Sequence, residues 1–134
     1  MDKEIQNQYI DYLQEVQKLC DEDIVNEPHQ LTDRLARTGS LIAAIGKVTA
    51  DVKKALNEAK NGLFLTKENL LFKSPPTIVQ AYIKANCKDE IFLVDWCDRL
   101  GATLVHQADI MRSLLSYAKH EANLFNGGYN QNIN

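Results

Sequence analysis

No stretch of this chain approaches the roughly 18 to 20 consecutive apolar residues that a membrane-crossing helix needs. Its first residues, Met1-Asp2-Lys3-Glu4-Ile5-Gln6-Asn7-Gln8, have neither the apolar core nor the small-residue cleavage site of a secretion signal. The two absences together predict a cytoplasmic protein without a membrane partner. Cysteine is scarce. Cys20, Cys87 and Cys97 are an odd set with no C-x-x-C pair, which argues against a disulfide framework or a thiolate zinc site and for three buried, reduced thiols. Alternating apolar and polar runs are missing too, so nothing reads as strand. Also absent are G-x-x-x-x-G-K-[ST], G-x-G-x-x-G and G-x-S-x-G, the spacings that cradle phosphates or raise a nucleophilic serine. The expectation is a chain that is not an enzyme, with no catalytic residue and no cofactor.

What is present is ordinary for a folded domain: 134 residues, 45% hydrophobic and 25% charged. That length fits a single helical domain, residues 1–125, with a loose tail rich in Asn and Gly over 126–134. The net charge of −3 is unevenly spread. Residues 1–27 carry eight acids against Lys3 and Lys18, whereas residues 28–74 carry eight bases against Asp33, Asp51, Glu58 and Glu68. Acidic and basic segments of this kind can pair within one copy or between two, or leave a basic face for a polyanion.

Apolar residues recur at steps of three and four almost throughout, so the fold class is all-α. Ile5, Tyr9, Tyr12, Leu13, Val16, Leu19 and Cys20 mark an N-terminal helix over about 3–20. A second helix is expected over 27–61, with Asn26 as its cap, Pro28 in its first turn and Gly62 as its stop. Along it Leu31, Leu35, Thr38, Ile42, Ile45, Thr49, Val52, Leu56, Ala59 and Leu63 alternate by four and three, the heptad seam of a coiled coil. One residue away runs a stripe of small residues, Ala36, Gly39, Ala43, Gly46 and Ala50. Glycine inside a helix costs up to about 1 kcal/mol relative to alanine, which leads us to expect another helix close against Gly39 and Gly46. After a connector with a short helix over about 75–86, a last helix over 89–124, capped by Asp89 and broken at Gly127-Gly128, carries Leu93, Trp96, Cys97, Leu100, Leu104, Ala108, Met111 and Leu115. The two long helices, similar in length, should form an antiparallel hairpin.

Chemistry-bearing clusters are few. His106, Asp109, Arg112 and Ser113 share a face of the last helix but lack metal-ligand spacing, and read as a solvated Asp109–Arg112 pair with no metal. Glu90, Asp95 and Asp98 read as solvated charge. The residues suited to a polyanion are Lys47, Lys53, Lys54, Lys60 and Lys67, with Phe64 and Phe72 near enough to stack on bases of single-stranded DNA. The alternative reading makes these lysines the polar flank of a coiled coil. The oligomer or helix-packing interface is placed on Leu35, Gly39, Ile42, Gly46, Thr49, Val52 and Leu56. A thin hairpin cannot cover this much apolar surface alone, so a homo-oligomer is expected, with another protein as further partner.

The stretch Gln107-Ala108-Asp109-Ile110-Met111-Arg112-Ser113-Leu114-Leu115-Ser116-Tyr117-Ala118-Lys119-His120-Glu121, after a long helix rich in Ala, Thr and Lys, resembles small helical proteins of tailed phages and mobile elements of the T4-type recombination-mediator kind. The resemblance implies a non-enzymatic helical oligomer that assists loading of a recombinase onto single-stranded DNA, in the bacterial host cytoplasm if the chain is phage-encoded. The other expectation is a scaffold, adaptor or inhibitor that binds one host or viral protein and no nucleic acid.

Overall fold

The computed structural model describes the backbone of residues 1–131 and the side chains of residues 1–126; residues 132–134 of the expected loose tail lie outside it. The described residues form five helices and no strand: α1 (Lys3–Asp21), α2 (Pro28–Thr66), α3 (Glu68–Lys73), α4 (Pro76–Asn86) and α5 (Lys88–Gln131). α2 and α5 pack together as an antiparallel hairpin. Its register is marked by Arg34 against Gln107, Ile45 against Gly101 and Lys53 against Asp98. α1 packs on α5 and runs parallel to it: Met1 meets Glu90, Gln17 meets Trp96 and Cys20 meets Gln107.

The heptad seam of α2 is the core-facing seam. Leu31, Thr38, Ile45 and Val52, seven residues apart, are buried, and Leu35, Ile42, Thr49, Leu56 and Leu63 beside them are half-buried. Opposite them α5 buries Leu93, Cys97, Leu100, Leu104, Ala108 and Met111, each no more than 2% exposed. α1 adds Leu13, Val16, Leu19 and Cys20. Each large side chain fully removed from water contributes about 1.5–3 kcal/mol, so this three-helix core dominates the stability of the fold. The three cysteines are free and buried, and loss of hydration raises all three thiol pKa values.

Several boundaries differ from the sequence reading, each for a local reason. Glu27, and not Asn26, caps α2: its carboxylate accepts from the backbone N–H groups of His29 at 3.1 Å and Gln30 at 2.9 Å, which lowers its pKa. Gly62 does not stop the helix. Among the described residues no glycine has a positive φ, and α2 continues to Thr66, with the Lys67 N–H donating to the Leu63 carbonyl. The connector holds two helices, since the apolar cluster Leu70–Leu71–Phe72 winds into α3 so that Leu71 faces inward. α5 starts at Lys88, so Asp89 sits in its first turn, and it runs past Gly127-Gly128.

The small-residue stripe is left uncovered by the chain's own helices. Ala36, Gly39, Ala43, Gly46 and Ala50 are all exposed, and a Cβ placed on Gly39 or Gly46 would meet nothing within 4 Å. Among the described residues no helix lies against them, because α1 sits on the other flank of α2, its Tyr9 and Tyr12 sharing hollows with Ala55 and Leu41.

Candidate functional site

Two features of the described surface go beyond what folding needs: apolar side chains left in water at both ends of the hairpin, and a concentration of lysine at one of them. The connector end holds Leu65, 81% exposed, and Phe72, 74% exposed, with Leu70 and Ile78 also exposed. Phe72 leans on Phe64, ring centroids 6.3 Å apart. Leu65 and Leu70 border a shallow hollow with Thr66, Lys67, Glu68 and Asn69. Residues 60–88 contain five lysines, Lys60, Lys67, Lys73, Lys84 and Lys88, against the single acid Glu68. The local balance is therefore +4 in a chain of net charge −3.

The five lysines proposed from sequence do not form one patch. Lys53 is 3.5 Å from Asp98. Lys54 borders a hollow that it shares with Asp2, Asp51 and Glu58, carboxylates that oppose a polyanion. Lys47 is exposed midway along α2. Lys60 and Lys67 belong to the connector end, where Lys73, Lys84 and Lys88, which the sequence reading did not include, join them. Of the seven interface residues, the structure gathers Leu35, Ile42, Thr49, Val52 and Leu56 along the seam facing α5 and leaves Gly39 and Gly46 outside it.

At the opposite end α5 outruns its partner. Ile45 lies against Gly101, so the seventeen residues back to Pro28 match seventeen forward to Ala118, and there α2 begins. α5 extends to Gln131, an overhang of about 20 Å. Every side chain from Lys119 to Asn126 is exposed, including Leu124 and Phe125, the latter by 76%.

Between these ends lies a buried polar clamp that the sequence did not disclose. Arg34, 8% exposed, donates from Nη1 to the Asp23 carbonyl and from Nη2 to the Leu19 carbonyl, both at 2.7 Å. Gln107 Nε2 donates to the Cys20 carbonyl at 2.8 Å. A cation and an amide thus close the carbonyl end of α1, where the helix dipole favours positive charge. At the start of α1 the Met1 ammonium donates to Glu90 at 2.9 Å. Glu90, read as solvated from sequence, is only 5% exposed, and the bond to its carboxylate raises the pKa of the ammonium. These groups hold α1 in place, and Arg34 and Asp23 also line a hollow with Glu22, Asp33 and Arg37.

Asp109 and Arg112 pair at 3.0 Å on an exposed face, and His29, His106 and His120 are exposed. Among the described residues, no group of three His, Cys, Asp or Glu side chains is disposed to hold a metal and no helix is long and apolar enough to cross a membrane. Comparison with protein families, characterised proteins and solved structures found no match to this chain.

Proposed function

We propose that this chain is a non-enzymatic interaction protein that associates with itself through one end of its hairpin and engages a different macromolecule through the other. The observation that carries this reading is the placement of its exposed apolar side chains. The four most exposed, Leu65 and Phe72 at one end and Leu124 and Phe125 at the other, stand at the ends of the hairpin, with Phe92, Val105 and Tyr117 less exposed between them. Large apolar side chains grouped in water mark contact surfaces. Aliphatic groups such as Leu65 and Leu70 suit a protein partner, which makes an adaptor, scaffold or inhibitor the first reading of the connector end.

A second reading is the accessory to recombination on single-stranded DNA that the resemblance implies. It is favoured by Lys60, Lys67 and Lys73 near the Phe64–Phe72 pair, a cationic surface with a ring to stack on. One titration separates the two. A fluorescent oligothymidine is followed by anisotropy at 50 mM and 200 mM salt. Binding that falls steeply with salt and disappears when Lys60, Lys67 and Lys73 are replaced by Glu selects the DNA reading. No binding by the parent at 50 mM salt removes it and leaves the protein-contact reading.

A further inference from the structure

We propose that the groove between α1 and α2 is a docking site for a basic amphipathic helix of a partner protein. This groove runs along the side of the hairpin and is separate from its two ends. α1 is held on α5 by polar contacts at Met1, Gln17 and Cys20, and its opposite flank parts from α2 along two open hollows of about 460 and 390 Å³. Ile5 and Tyr9 line the first with Ala55 and Ala59, and Tyr12 lines the second with Leu41. Ile5 is exposed and the other five are half-buried, so the floor of the groove is apolar and incompletely covered.

Charge selects the occupant. Glu4, Asp11, Glu15 and Glu22 recur at steps of seven, four and seven on one exposed face of α1, and Glu15 places that face on the groove, where it lines the second hollow. Asp51 and Glu58, seven apart on α2, edge the first hollow, and Asp2 joins them there. The basic side chains lining the two hollows are Lys54 and Arg37, and Lys18 lies 3.1 Å from Glu15. Seven carboxylates thus stand against three basic side chains along one apolar floor. A helix with an apolar stripe flanked by lysine or arginine fits it: residues at i, i+3, i+4 and i+7 cover the floor, and the flanking cations meet the acidic rims. An acidic helix is repelled. α1 is 19 residues long, about 28 Å, which leaves room beside it for about five helical turns. A helix seated there, across from α5, completes a four-helix bundle. A second copy offers no such helix, since its basic segment, residues 60–88, is broken between the end of α2, α3, α4 and the start of α5.

The test titrates the full chain with a fluorescent helical peptide of about five turns, leucine along one stripe and lysine on both flanks, followed by anisotropy and by amide chemical shifts. The parent should bind it in the micromolar range, with shifts concentrated at Tyr9, Tyr12, Leu41 and Ala55. The same peptide with glutamate in place of lysine, or serine in place of leucine, should bind at least about tenfold more weakly. Glu15→Lys, Asp51→Lys and Glu58→Lys, combined in one chain, should weaken the lysine peptide on the order of tenfold or more and leave the helical circular dichroism intact, since all three sites are exposed. No binding by the parent, shifts confined to the ends of the hairpin, or a dissociation constant that the charge reversal leaves unchanged overturns the proposal. Groove resonances that move when the parent alone is diluted mean that a second copy fills the groove, and overturn it equally.

Discussion

Replacing Arg34 by Met removes the donors that close α1 while keeping the length of the side chain, and the Leu19 and Asp23 carbonyls then lose a charged partner in a buried setting. Hydrogen bonds to charged groups contribute about 1.5–3 kcal/mol, so the urea midpoint should fall by that equivalent. Arg34→Lys should recover only part of the loss, because one ammonium cannot reproduce two guanidinium bonds held in a fixed fork. A second residue-scale effect appears in alkali. The Met1 ammonium has a folded pKa raised above its ordinary 8.0 by Glu90, so its stabilisation is complete below about pH 8 and is lost as pH rises through the raised value. The buried thiols act in the same direction, since the unfolded chain ionises them near 9.0 and the folded chain resists. Urea midpoints taken from pH 7 to 10 should decline, and Glu90→Gln should flatten the part that begins first. Arg34 did not stand out in the sequence, and Glu90 read there as solvated charge. Helical spacing shows which face a residue occupies, but not which distant carbonyl or ammonium lies within reach.

At the scale of the helix, the two glycines of α2 face no helix of their own chain. With open space where a Cβ would stand, Gly39→Ala and Gly46→Ala should each stabilise the chain by about 0.5–1 kcal/mol, read from urea unfolding. A loss of stability on either change would mean that a second helix sits there in solution. Leu104→Ala, fully buried in α5, should instead cost about 2–5 kcal/mol. The contrast follows from what periodicity encodes. The seam from Leu31 to Leu63 was legible because any helix with apolar residues at steps of four and three must bury that stripe. Glycine and alanine carry no such obligation, being compatible with close packing and with solvent alike. Helix ends were less legible still: Gly62 and Gly127-Gly128 resemble stops, yet a glycine ends a helix only where its backbone turns left-handed, and Gly62 does not.

For the whole molecule, the hairpin itself followed from the sequence, since two long amphipathic helices joined by a compact connector have little choice but to fold back on one another. Which flank α1 would occupy did not follow, because Leu13, Val16 and Leu19 fit either groove between α2 and α5; the clamp of Arg34 and Gln107 at one end and of Glu90 at the other selects the flank. That clamp also has a kinetic meaning. The partners of α1 on α5 are remote along the chain, 79 residues separating Gln17 from Trp96 and 87 separating Cys20 from Gln107, whereas Arg34 is 15 residues from Leu19. Closing such loops is slow compared with zipping two helices around their connector. α1 should therefore dock last and leave first, opening as one unit while α2 and α5 stay paired. Native-state hydrogen exchange should show the α1 amides sharing one opening free energy below that of the α2 and α5 core, and Arg34→Met should lower the α1 value alone. A brief, reversible departure of α1 would bare Leu93, Leu100 and Leu104, making the third helix a timer on how long the hairpin core meets water.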